Sequence, residues 1–397
     1  MKALLKSLAL RFGVEVRRCV PDAGVAERVS LRPKGTERGW ALMAYIMGPF
    51  LLKEGEPLPV THTHFGESLE IASTFLRLGY GVDAIDYRNR TFIPDRDYAF
   101  FVSARTNFAR IALQLNRDCV KVAHLDTAHW LFNNWASYRR ALSLQQRRGV
   151  TLGGVRIVEP NLAIEHADYA TVLGNGFTLG TYAYARKPLF RTPVPACMPY
   201  PWPERKDFAS CRRSFLWLGS GGLVHKGLDL VLDAFAGMPG FSLYVCGPIQ
   251  KERDFEREYS RELYETPNIH TVGWISIDSP GFQEVTEKCA GIIYPSCSEG
   301  QAGSVVTCMH AGLIPLVSYE SGIDVEDFGV LLKDSSRDAI REALHLIASL
   351  RPGEIEERAR KTWDYARKHH TRESFAEEYE RVIADIQSGH LPYGGER

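Results

Sequence analysis

Between Tyr294 and Ser318 the chain runs YPSCSEGQAGSVVTCMHAGLIPLVS, a strand end followed by a polar turn, a glycine-punctuated helix start and a second apolar strand. The apolar runs Ala290 to Tyr294 and Ile314 to Ser318 read as buried strands. A helix beginning at Gly300–Ser304 would aim free backbone N–H groups, and the positive end of its dipole, at whatever precedes it. That arrangement favours phosphate or pyrophosphate. The turn also carries one carboxylate, Glu299. Beside a phosphate it is electrostatically awkward unless it serves another part of the ligand. Ionised glutamate offers acceptors and no donors, which suits sugar hydroxyls. The segment implies a nucleotide-sugar site.

The same alternation of strand and helix runs through the chain. Trp40 to Phe50 is an apolar run, Glu67 to Leu78 has helical spacing, and Val82 to Tyr87 forms the next strand after Gly79 and Gly81. Strands follow at Tyr98–Ser103, Val120–His124 and Ala170–Gly174. A proline-rich passage, Pro193 to Pro203, reads as an extended linker. Beyond it the pattern restarts with Ser214–Leu218, a helix at Leu228–Phe235, then strands at Phe241–Gly247 and Ile269–Trp274. A length of 397 residues makes two domains the default. The expectation is an α/β protein of two doubly wound, Rossmann-like domains, residues 1–197 and 198–370, with a helical tail from 371 to 397. The charged helical pattern from Glu354 to Ile386 carries an apolar stripe of Phe375, Tyr379 and Ile383.

A formal net charge of zero provides no global field for nucleic acid or an anionic membrane. Eight scattered cysteines without a Cys-x-x-Cys pair suit free thiols in a reducing compartment, so a cytoplasmic location is expected. No apolar run reaches the roughly 18 to 20 residues of a membrane span. Near the N-terminus, Leu4, Leu5, Leu8 and Phe12 share a helical face from which Lys2, Lys6 and Arg11 are excluded. A helix packed on its own domain accounts for this simply; an interfacial helix in peripheral membrane contact stays open.

The second domain opens with FLWLGSGGLVHKGLDLVLDAF. Its glycine turn, Gly219 to Gly222, permits close approach of a ligand to the backbone, and Lys226 could neutralise a diphosphate as a compact point charge. A dinucleotide fingerprint would need a third glycine and an acidic residue after the following strand. Neither is present.

Taken in order, that segment, then LYVCGP, NIHTVGW and the carboxylate turn with AGLIPLVS, resemble the donor domain of GT-B glycosyltransferases, in particular the retaining group known as glycosyltransferase family 4. TRESFAEEYERVIADI resembles that group's closing helix, which crosses back onto the first domain. The resemblance implies two domains facing a cleft and metal-independent transfer of a sugar from a nucleoside diphosphate sugar to a carbohydrate or lipid-linked acceptor. It implies no cofactor beyond the donor substrate, and a place in surface polysaccharide or glycolipid synthesis. A non-catalytic nucleotide-sugar-binding protein and a GT-B epimerase or hydrolase are the alternatives.

By the same resemblance, Lys226 binds the donor diphosphate and Glu299 holds donor-sugar hydroxyls, with Gly221, Gly222, Gly300, Gly303, Ser304 and Thr307 lining the donor site. Two departures stand out. The second motif glutamate, which grips the ribose, is replaced by Thr307, and the arginine beside the glycine turn is replaced by Ser220 or Gly221. In the first domain His124 ends a strand, where ligands of open α/β sheets gather, and matches a histidine facing the donor sugar. His129 is a second candidate. His64, Gly66 and Glu67 fall where the family's glycine-rich loop shapes the acceptor pocket. His62 and His64 lack a third metal ligand with convincing spacing, and Asp95-Arg96-Asp97 follows Pro94 in a predicted loop of the wrong domain, so no metal site is expected.

Overall fold

The computed structural model describes residues 28–53, 55–390 and 392. The amphipathic pattern at the N-terminus lies outside them. The first sheet comprises β1 (Val29–Leu31), β2 (Trp40–Tyr45), β3 (Gly81–Asp86), β4 (Phe100–Ser103), β5 (Val120–Leu125), β6 (Tyr169–Leu173) and β7 (Leu189–Thr192), in the spatial order β1-β3-β2-β4-β5-β6-β7. All pairings are parallel except that of β1 with β3. The second holds β8 (Ser214–Leu218), β9 (Ser242–Cys246), β10 (Ile269–Gly273), β11 (Gly291–Tyr294), β12 (Ile314–Val317) and β13 (Val330–Leu331), ordered β10-β9-β8-β11-β12-β13 and wholly parallel. That order reverses at β8, the doubly wound arrangement whose ligands gather at the carboxyl ends of the strands. Continuous apolar runs such as Ala41 to Tyr45 and Ile292 to Tyr294 are buried because helices cover both faces of a parallel sheet.

The charged helical pattern from Glu354 to Ile386 is two helices, Pro352–His369 and Arg372–Ser388. His370 leaves helical geometry, and its Nδ1 pairs with the carbonyl of Val194 at 3.0 Å. Thr371 then caps the second helix. This helix lies on the first domain's helix His64–Arg77, joined by Arg372 to Glu70 at 2.6 Å and Arg77 to Glu380 at 2.9 Å, while Phe375, Tyr379 and Ile383 are fully buried. The passage Pro193 to Pro203 has no regular structure, yet Val194, Ala196, Tyr200 and Trp202 are buried in it. It is packed against the helix Pro352–His369, where Trp363 Nε1 donates to Tyr200 O at 3.0 Å.

The two domains meet closely. Arg147 and Arg148, at the end of helix Trp130–Arg148, pair with Asp229 and Asp233 of helix Leu228–Ala236. Thr178 Oγ1 donates to Gly300 O at 3.0 Å, and Asn175 Nδ2 donates to Tyr319 O at 3.1 Å. A Cβ on Gly300 would stand 2.5 Å from Asp126 O and 2.9 Å from Thr127 N. Glycine at this position lets the carboxylate turn of the second domain touch the backbone that follows β5.

Candidate active site

Residues at or just beyond the carboxyl ends of β2, β3, β5 and β6, and of β8, β9 and β11, line one cavity of about 650 Å³ between the domains. From the second domain, Lys226 precedes helix Leu228–Ala236 in a turn closed by its own N–H donating to Gly222 O at 2.9 Å. Its Nζ donates to Glu299 Oε1 and to Tyr294 Oη, both at 2.7 Å. Glu299 further accepts from Tyr294 Oη at 3.1 Å and from Ser296 Oγ at 3.2 Å. Lys226 and Glu299 are only 6% and 7% exposed. Burial opposes the charge on Glu299, but Lys226 and then Arg156 overcome it and hold the carboxyl well below its usual range. Burial lowers the Lys226 ammonium from its ordinary value, against the attraction of Glu299.

Arg156 comes from the first domain. Its Nη1 lies 3.5 Å from Glu299 Oε2, and its side chain covers Gly222, where a Cβ would approach Arg156 Cδ to 2.9 Å. Two cations therefore share this carboxylate, and Glu252 brings a second carboxylate to the same glycine turn. Beside them begins helix Gly303–His310, whose N-cap residue, Ala302, supplies no side-chain cap. Gly300, Gly303, Ser304 and Thr307 line the cavity. Thr307 Oγ1 donates back to Gly303 O at 2.9 Å, so its hydroxyl proton is committed within the helix.

On the facing wall, Asp126 follows β5 and receives both arms of Arg105, at 2.8 and 2.7 Å. Burial would raise the Asp126 carboxyl, but Arg105 and then His64 bring it down to about 2. His64 Nε2 lies 3.7 Å from Asp126 Oδ2, and His62 also lines the cavity. Arg105 holds φ at +62°, one of three described non-glycine residues with positive φ. Strain of this kind costs of order 1 to 3 kcal/mol and collects at functional sites.

Several residues expected at the site lie elsewhere. His124 is 1% exposed and does not line the cavity. His124 and Asp126, two residues apart, share one side of the strand, but His124 lies deeper within β5, where its Nδ1 pairs with Thr171 Oγ1 at 2.8 Å. Glu67 is fully buried behind the wall, accepting from Tyr45 Oη at 2.7 Å with His124 Nε2 at 3.7 Å. Gly66 faces Arg372 of the closing helix. His129 caps helix Trp130–Arg148, Nδ1 accepting from Leu131 N at 3.4 Å, while Nε2 meets Tyr184 Oη at 3.0 Å. Gly221 and Gly222 are also outside the cavity lining: Glu252 occupies this turn, accepting from Gly222 N at 2.5 Å and Leu223 N at 3.2 Å. Among the described residues no group of three or more histidine, cysteine, aspartate or glutamate side chains is arranged to hold a metal ion.

Arg156, Asp126 and Arg105 escape a reading of the sequence. Asp126 left a signal, since it sits one residue past a buried strand. Arg156 left none, because its loop reaches the site only through the docking of the two domains.

The fold is that of the GT-B glycosyltransferases, two parallel-sheet α/β domains about a cleft. Sucrose-phosphate synthase from Thermosynechococcus elongatus is similar over 89% of this chain and 100% of its own, with a TM-score of 0.60 and 13% identity. HepE from Anabaena, in complex with UDP and glucose, is similar over 88% of this chain and 99% of its own, with a TM-score of 0.55 and 10% identity. TarM from S. aureus, as a mutant in complex with fondaparinux, α-GlcNAc-glycerol and UDP, matches 75% of this chain with a TM-score of 0.52 and 11% identity. The aligned region spans 57% of TarM's length. No family model and no curated protein matches the sequence.

Proposed function

We propose that this protein transfers a sugar from a nucleoside diphosphate sugar to an acceptor hydroxyl, with retained anomeric configuration and without a metal ion. The observation that carries the reading is the buried Lys226–Glu299 pair on the cleft wall, beside the uncapped start of helix Gly303–His310. Departure of a diphosphate requires stabilisation of developing negative charge more than it requires a nucleophile. Lys226 and the amides of the helix start supply part of it. Arg156 supplies the rest, standing over the glycine turn where the donor domain lacks its own arginine. Glu299 orients the sugar through its hydroxyls, and the departing phosphate takes the acceptor proton. The close meeting of the domains excludes water and limits hydrolysis.

HepE and TarM, whose structures hold UDP, support a uridine nucleotide as the first donor to test. A carbohydrate or lipid-linked acceptor, in surface polysaccharide or glycolipid synthesis, is the biological setting we infer. The described cysteines are free, which agrees with a cytoplasmic location. Among the described residues no helix is long and apolar enough to cross a membrane.

A thermal-shift screen against UDP, GDP, ADP and their common sugars, followed by turnover assays, tests the proposal. Glu299→Ala and Lys226→Ala should each slow transfer at least tenfold, and about 100- to 1000-fold if either contact acts mainly in the transition state. Full activity in both folded variants would discard the site. Binding without turnover by the unaltered protein, across a broad acceptor set, would favour a nucleotide-sugar-binding protein instead. Release of free sugar or its epimer, with no glycoside, would favour the hydrolase or epimerase.

A further inference from the structure

We infer that the acceptor carries an anionic group, a phosphate or a carboxylate, bound in an arginine-lined chamber of the first domain; the word acceptor here rests on the transfer reading above. A second cavity of about 340 Å³ adjoins the main cleft and shares Tyr87, Arg88, Arg105 and Arg156 with it. Its lining contains four arginines, the fourth being Arg90, and one carboxylate, Glu159.

The charges do not balance within this chamber. Arg90 is matched by Glu159 at 2.9 Å, and Arg105 by Asp126 at 2.7 Å. Arg156 shares Glu299 with Lys226, and Glu252 stands at the same glycine turn. Arg88 is exposed; its Nε donates to Tyr87 Oη at 2.8 Å and its guanidinium lies over that ring, 4.8 Å from the centroid. Among the described residues no carboxylate pairs with its guanidinium; Asp86 Oδ1 accepts from its backbone N–H at 2.8 Å. A donor diphosphate at Lys226 and Arg156 would leave Arg88 unmatched at the first-domain end of the cleft.

Guanidinium groups match planar or tetrahedral oxyanions in forked geometry better than they match neutral hydroxyls. The strained backbone at Arg105 and its two-armed grip on Asp126 fix one wall of the chamber. An oxyanion held between Arg88 and Arg90 would place the rest of its molecule at the mouth shared with the donor cleft, where a hydroxyl meets the sugar. The same chemistry would serve a soluble sugar phosphate, a uronic acid or an anionic lipid headgroup.

Calorimetric titration of the full chain with inorganic phosphate separates the two sites. The unaltered protein should bind at two sites. Lys226→Ala should remove one, and the double variant Arg88→Ala/Arg90→Ala, checked for folding by its thermal transition, should remove the other. Phosphate binding that is indifferent to the arginine substitutions overturns the inference, while its loss in Lys226→Ala would leave the donor site standing. Loss with the arginines alone, and none with Lys226→Ala, would support the chamber and count against the donor site.

Turnover provides the second arm. With glucose, glucose 6-phosphate and glucuronic acid as matched acceptors, and phosphatidylglycerol vesicles as a lipid source, an anionic acceptor should show at least a tenfold lower KM than the neutral one. That gap should close in the Arg88→Ala/Arg90→Ala variant with the donor KM unchanged. Equal KM values for neutral and anionic acceptors overturn the inference. Preference for the soluble or the vesicle-borne anion identifies the source.

Discussion

Removing the ammonium of Lys226 would leave Glu299 buried, with Tyr294 and Ser296 as neutral neighbours and Arg156 farther off at 3.5 Å. Breaking one side of a buried ion pair costs about 3 to 5 kcal/mol, because the remaining charge loses its partner. Lys226→Ala should therefore lower stability by about 3 kcal/mol, with Arg156 limiting the loss. Adding Glu299→Gln should recover part of it, since the amide carries no charge to strand. Urea unfolding of the two single variants and the double variant checks this; simple additivity would mean that the two groups do not interact. Arg156 answers to a different measurement. Arg156→Ala should raise the donor KM about tenfold, and Arg156→Lys should restore part of the loss by returning the charge without the planar fork. Lys226 and Glu299 were legible because each stands in a local pattern, a glycine turn before a helix and a carboxylate turn before another. Arg156 was not, because nothing in its own neighbourhood, Gly153-Gly154-Val155-Arg156, refers to the turn it covers.

At the scale of elements, the carboxylate turn is set by what Gly300 lacks. An alanine there would drive its Cβ to 2.5 Å from Asp126 O, against backbone that cannot rotate aside. Gly300→Ala should separate the turn from the end of β5 and lower turnover at least tenfold, with a smaller change in the affinity for nucleotide alone. Steady-state rates and nucleotide titration on the same preparation test this; unchanged rates would show that the approach of the two elements is not needed for transfer. The central strands were readable for a related reason: β2, β8, β11 and β12 are buried on both faces and so appear as unbroken apolar runs. The edge strands β1, β7 and β13 were missed because they are short and partly exposed, so neither alternation nor an apolar run marks them. The break in the tail falls where the closing-helix resemblance begins, at Thr371, which caps Arg372–Ser388; what the sequence does not show is the pairing of His370 with Val194, a partner 176 positions away.

Across the whole molecule, three histidines sit where parts of the chain distant in sequence meet, and all are buried. His225 Nδ1 pairs with Ser137 Oγ of the first domain at 2.8 Å, His370 with Val194 O, and His310 Nε2 with His370 O at 3.0 Å. Burial lowers their values to about 3 for His225, about 3 for His370 and about 4 for His310. In the unfolded chain each would titrate near about 6.5. Below that value the unfolded state takes up protons that the folded state does not, so stability falls as pH drops from about 6.5 towards the folded values. Each group contributes a slope of about 1.4 kcal/mol per pH unit, or about 4 for the three together. The depressed carboxylates Asp126 and Glu299 act in a lower window, their stabilisation present above about pH 4 and lost as pH falls through their folded values. Urea midpoints should therefore be nearly level from pH 8 to 7 and decline steeply between about pH 6 and 5. His310→Gln retains a donor for His370 O and should reduce that slope by about one proton. A level profile down to pH 5 would mean that these histidines are not held neutral at the junctions. A slope unchanged in His310→Gln would assign the acid sensitivity to other groups.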